Sequence, residues 1–197
     1  LAPPANKPAG RPLRVGDQLV IASSTGYIAR LNPANGRLIG TPFQTPITPE
    51  SVINWLAPIQ VGEETIAAAI GESKGETSKL FLLSTSNKSR IETVSELVSE
   101  APFKGELLRM GDGILAAVAG KVDQLVLIGG NPLAKQHTVD LAGSLVAGPW
   151  KIDSGIVVKL DDDKLYCFGD DLTPKWSIAV PNDRLAAEPQ AFGDKLM

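Results

Sequence analysis

The sequence predicts an all-β protein, a β-propeller of four-stranded antiparallel blades with about four complete blades and the start of a fifth. Two observations carry the prediction. First, one phrase recurs along the chain: an apolar residue, Gly-Asp or a variant of it, a spacer, then an apolar run. It reads Val15-Gly16-Asp17-Gln18-Leu19-Val20, Val61-Gly62-Glu63-Glu64-Thr65-Ile66 and Met110-Gly111-Asp112-Gly113-Ile114-Leu115, with Ile152-Asp153-Ser154-Gly155-Ile156-Val157 as a degenerate copy and Phe192-Gly193-Asp194-Lys195-Leu196-Met197 as the last. A period of about 40 to 50 residues filled with short strands is the spacing of propeller blades. Second, the apolar runs are short, bounded by Gly and Pro, and lack the 3.6-residue spacing of a helix.

Each unit divides into four runs. Unit one gives 12–15, 19–23, 27–31 and 37–43, broken by Gly16-Asp17, Ser24-Thr25-Gly26 and Asn32-Pro33-Ala34-Asn35-Gly36. Gly beside Asp or Asn supplies the positive φ of tight hairpins, so these breaks are turns. Unit two gives 56–61, 65–70, 79–84 and 90–97, and unit three 105–110, 114–118, 124–128 and 135–141. Unit four gives 147–152, 156–160, 164–168 and 175–180, and a partial unit covers 188–197. Residues 1–11 form a Pro-rich N-terminal segment ahead of the blades. The second run of every unit is nearly all apolar, as in Ile66-Ala-Ala-Ala-Ile70 and Ile114-Leu-Ala-Ala-Val118. Such runs suit strands covered on both faces, and small residues let neighbouring sheets approach.

Composition bounds the function. The chain has 197 residues, 43% of them apolar, and a formal net charge of -3 with both signs interspersed. That balance speaks against nucleic acid and anionic membrane surfaces, which need a basic patch. Apolar runs of about five or six residues are too short to insert in a bilayer as helices. The single cysteine, Cys167, excludes an intrachain disulfide and a multi-cysteine metal site. Its apolar run, Lys164-Leu165-Tyr166-Cys167-Phe168, is expected to bury it as an inert thiol.

Unit one, from Gly16 to Gly36, resembles the repeat of quinoprotein-dehydrogenase-like propellers, the PQQ-like repeat. Unit four echoes it in Asp161-Asp162-Asp163-Lys164-Leu165-Tyr166-Cys167-Phe168 and Pro174-Lys175-Trp176-Ser177, whereas units two and three keep only the strand rhythm. The resemblance implies a propeller of the cofactor-free type. Such members include a lipoprotein of outer-membrane protein assembly and sensor domains of larger proteins, which favours a bacterial, periplasmic or cell-surface location. The quinone-dependent members imply a cysteine pair, a calcium and a catalytic Asp. Cys167 alone cannot supply the pair, and no position here matches those roles, so no cofactor is expected.

The remaining motifs point to structure. His137, the only histidine, sits in an outer-strand run without a nominated nucleophile or orienting acid. Asp161-Asp162-Asp163 and Asp170-Asp171 lack the spacing of a calcium loop and read as solvated turns, with a calcium-stabilised repeat as an alternative. Gly129-Gly130-Asn131-Pro132 is a turn, because no Gly-Lys-Ser/Thr follows it. Trp176 matches the outer-strand Trp of the resembled repeat and is expected to pack between blades, and Trp150 is expected in the core.

No catalytic residue is nominated, so the leading expectation is a scaffold that binds a protein partner, part of a larger protein. The rival is a ligand-binding or oxidoreductase propeller whose site lies in blades outside this chain. Alternating strand direction places first-to-second and third-to-fourth turns at one end, where they are short. The other end receives the second-to-third turns and interblade connections, including 44–55, 71–78 and 161–163. Scaffolds carry function on variable loops, so this end is the candidate partner face, with Trp55, Glu72, Lys74, Glu76, Asp161 and Asp162 near it. Four blades and a hairpin should also leave open apolar blade faces, to be covered by further blades or by self-association.

Overall fold

The computed structural model describes residues 8, 11–23, 26–45, 53–71 and 78–180, and residues 191–192 and 195–196 through their backbone pairing. These residues form strands, turns and irregular segments only. Blade 1 comprises β1 (Leu13–Val15), β2 (Gln18–Ala22), β3 (Tyr27–Leu31) and β4 (Phe43–Gln44). Blade 2 comprises β5 (Ile59–Gln60), β6 (Thr65–Ala69), β7 (Lys79–Ser84) and β8 (Glu92–Val98). Blade 3 comprises β9 (Phe103–Met110), β10 (Gly113–Val118), β11 (Gln124–Gly129) and β12 (Ala134–Asp140). Blade 4 comprises β13 (Leu145–Ile152), β14 (Gly155–Leu160), β15 (Lys164–Phe168) and β16 (Pro174–Ala179). Each is an antiparallel meander in chain order, and a two-stranded sheet of β17 (Ala191–Phe192) and β18 (Lys195–Leu196) follows.

The second strands show why the sheets stack. Side chains of a strand alternate between its two faces, so an all-apolar strand needs cover on both. In β6 and the residue after it, Ile66, Ala68 and Ile70 enter a core shared with blade 1, while Ala67 and Ala69 enter one shared with blade 3. In β10, Ile114, Ala116 and Val118 face blade 2, and Leu115 and Ala117 face blade 4. Each blade thus has a trailing face toward its predecessor and a leading face toward its successor. Removing one of these fully buried Leu or Ile side chains from water contributes about 1.5–3 kcal/mol.

Two glycines mark where backbones meet. Gly40 has φ +66°, and a Cβ there would stand 2.5 Å from the carbonyl oxygens of Lys88 and Ser89 on blade 2. Gly105, on β9, has φ +65°, and a Cβ would lie 1.9 Å from the Gly148 carbonyl oxygen on β13. Only glycine combines that conformation with that approach.

Three expectations are corrected. The fourth run of unit one, expected over 37–43, is a strand only at Phe43–Gln44, with an isolated bridge from Leu38 to Leu31, because Gly40 turns left-handed and Pro42 has no N–H to donate. Thr41 instead donates its N–H to Ser89 O at 2.7 Å, joining the two blades. The first run of unit two, expected over 56–61, shrinks to Ile59–Gln60 beside Pro58, with Trp55 in an isolated bridge to Ile70. Trp176, expected between blades, is 42% exposed. It lies on the outermost strand of blade 4, whereas β17 lies against the innermost strand, β13. Trp150 is buried, as is Cys167, and burial pushes the Cys167 thiol above its ordinary pKa. His137 stands exposed on β12.

Candidate interaction face

Antiparallel order in every blade puts the β1–β2, β3–β4 and equivalent turns at one end, and the β2–β3 turns and interblade connections at the other. At the first end, Gly16-Asp17, Gly111-Asp112 and Asp153-Ser154 each join directly paired strands, while the β3–β4 connection of blade 1 runs over 32–42. The connection end carries the varied polar groups.

At its blade 4 sector lies the turn Asp161-Asp162-Asp163. Asp161 Oδ1 accepts the Ser144 N–H at 3.0 Å, fastening the turn to the connection from blade 3. Asp162 Oδ2 accepts the Tyr166 hydroxyl at 2.6 Å and lies 3.2 Å from Lys164 Nζ. The Tyr166 bond first, and then Lys164, hold the Asp162 carboxyl below its ordinary pKa, and the same contact raises that of Tyr166. Asp163, left-handed at φ 62°, places Oδ1 3.6 Å from Lys159 Nζ. This is a solvated, internally paired anionic turn. Among the described residues no group of three or more His, Cys, Asp and Glu side chains converges as metal ligands would.

The blade 3 sector holds a shallow hollow of about 340 Å³, bordered by Ser99 and Glu100 of one connection and Gly120, Lys121 and Val122 of the β10–β11 turn. Asp123, almost fully buried, anchors the β10–β11 turn that borders the hollow. That carboxylate accepts Lys104 Nζ and the Leu145 N–H, each at 2.8 Å, and the Gly120 N–H at 3.2 Å. Burial opposes its ionisation, but Lys104 and the two N–H donors outweigh it, so its pKa is lowered. Sequence reasoning missed this hollow and its anchor. No spacing announced that Asp123 would meet Lys104, 19 positions away.

The candidate residues do not form one patch. Asp161 and Asp162 lie exposed at the connection end. Trp55 is only 5% exposed: it packs against Phe43 and Phe81, with centroids at 6.5 and 5.9 Å, in the core between blades 1 and 2. Glu72, Lys74 and Glu76 lie outside the described residues. Arg30 is a further polar group that joins two blades. From the leading face of blade 1 it donates Nη1 to Thr85 O at 2.8 Å and Nη2 to Lys88 O at 3.2 Å. A lone cation inside Tyr27-Ile28-Ala29-Arg30-Leu31 was the signal that it needed partners.

No family model matches the sequence, and no curated protein matches it. Solved structures do. The chain is similar to BamB from Moraxella catarrhalis at 14% identity and TM-score 0.62, covering 88% of this chain and 52% of that one. BBS1N, solved in complex with ARL6DN, matches at 19% identity and TM-score 0.59, again over 88% of this chain and 52% of that one. A protein of unknown function from Bacteroides caccae matches at 10% identity and TM-score 0.61, over 90% and 62%. The stacked four-stranded meanders are therefore those of a β-propeller. The chain spans about half the length of the first two structures.

Proposed function

We propose that this chain is a non-catalytic β-propeller module that binds a protein partner through its connection end, within a larger bacterial extracytoplasmic protein. The observation that carries the reading is the asymmetry of the two ends. Two-residue turns close the first hairpins of blades 1, 3 and 4 at one end, and the other gathers the Asp161–Asp163 turn and the Glu100–Lys121 hollow. Rigid sheets with their variation at one end suit recognition by loops. BBS1N, similar in fold, is itself seen in complex with ARL6DN, and BamB, also similar in fold, comes from Moraxella catarrhalis. The PQQ-like resemblance of units one and four supports the cofactor-free, extracytoplasmic reading.

Charge reversal at each end tests it. Glu100→Lys with Asp162→Lys should abolish retention of a protein held by the immobilised wild type. Asp112→Lys with Asp153→Lys, at the tight-turn end, should leave retention unchanged. Retention insensitive to the connection-end pair, or dye-linked oxidation of alcohols or sugars by the purified chain, would refute the reading.

A further inference from the structure

The hollow between blades 2 and 3 carries opposite charges that do not neutralise each other. Three other lysines of the connection end are paired with carboxylates: Lys104 with Asp123 at 2.8 Å, Lys164 with Asp162 at 3.2 Å and Lys159 with Asp163 at 3.6 Å. Glu100 and Lys121 stand exposed on the two lips of the hollow, and Lys135 lines it. Among the described residues none of these three forms an ion pair. The second acid of the hollow, Asp140, already accepts the Gln124 amide at 2.7 Å. Val122, next to Lys121 on the same lip, is 48% exposed.

Backbone hydrogen bonds fix both lips. The Ala119 N–H donates to Pro102 O at 2.8 Å, tying the β10–β11 turn to the connection from blade 2. Asp123 holds the Gly120 N–H, and Ser78 O accepts the Ser99 N–H at 2.8 Å. An acid and a base are thus presented across a concave surface whose protein walls concentrate their field. A ligand that brings the complementary pair meets a site already in shape, which lowers the cost of binding.

We infer that the hollow takes an extended segment of the protein partner. The segment sets a basic side chain against Glu100, an acidic one against Lys121 and Lys135, and an apolar one against Val122. This rests on the connection end being the binding end, and names a contact made there. Alternate residues of an extended chain point to the same side, so one face of such a segment presents all three groups. In the reverse order like charges meet, and that arrangement is rejected. The hollow reads the direction of the segment as well as its composition.

The test measures binding of the full chain to two dye-labelled peptides, Lys-Thr-Val-Thr-Glu and Glu-Thr-Val-Thr-Lys, with both termini blocked to remove their charges. A second pair sets the charges two residues apart instead of four. Fluorescence anisotropy should show one order preferred by about tenfold or more at low salt, with the preference fading as salt is added. Glu100→Lys with Lys121→Glu and Lys135→Gln should exchange the preference. Equal binding of the two orders, a preference that the exchange leaves in place, or binding of neither peptide would overturn the proposal. Retention of a protein partner by the immobilised chain separates this failure from that of the reading beneath it. If Asp162→Lys abolishes retention while the peptides show no preference, the connection end still binds and only the hollow is refuted. Retention that no connection-end change affects would overturn both.

Discussion

Leu133 donates its backbone N–H to the Ser95 hydroxyl at 2.8 Å across the boundary between blades 2 and 3. Ser95→Ala leaves that buried N–H without an acceptor, and an unpaired buried donor costs about 1–3 kcal/mol. Urea unfolding should show the midpoint falling with the m-value unchanged. Ser95→Thr, which keeps the hydroxyl, should retain most of the stability.

Leu133→Ala and Leu38→Ala make the same chemical change in opposite environments. Loss of the buried Leu133 side chain should destabilise by about 2–5 kcal/mol through lost transfer energy and the cavity left behind. Loss of the exposed one should stay within about 0.5 kcal/mol. Equal effects in thermal unfolding would contradict the burial of Leu133 and the exposure of Leu38.

Arg30 joins blades 1 and 2 through two carbonyl groups, at 2.8 and 3.2 Å. Arg30→Met keeps much of the volume and removes both donors. The buried Thr85 carbonyl and the part-buried Lys88 carbonyl then lose their partners, and a loss of about 1–3 kcal/mol is expected. Arg30→Lys should recover only part of it, since an ammonium lacks the planar fork that reaches both oxygens.

The pH dependence follows from Asp123. Its folded-state pKa lies below the unfolded value of about 3.9. The stability it contributes is therefore present above that value and is lost as pH falls through the folded pKa. Thermal scans should show an acid limb below about pH 4 that Asp123→Asn flattens. The variant should also be less stable at neutral pH, because Lys104 loses its charged partner.

Cys167 is buried, and burial raises the pKa of its thiol. In the folded protein it should resist a disulfide reagent at pH 8 and react fully in denaturant. Rapid reaction under native conditions would contradict its place in the core of blade 4.

The sequence by itself determined the architecture. Gly-Asp phrases set the hairpins, and the unbroken apolar second runs demanded sheets covered on both faces, because a period-two element with no polar positions has no side to turn to water. It also separated the tight-turn end from the connection end, since antiparallel strands alternate direction. Tertiary structure decided which side chains those strands bring together. Trp55 ends a long connection yet fills a core, because Phe43 and Phe81 from two blades close over it. Trp176 fits the packing position of its repeat yet stays half in water, because a strand's cover is set by the neighbouring sheet and not by its own residues. Asp123 with Lys104, Arg30 with Thr85 and the exposed Leu38 belong to the same class. Each is a contact, made or unmade, between residues whose separation along the chain follows no period.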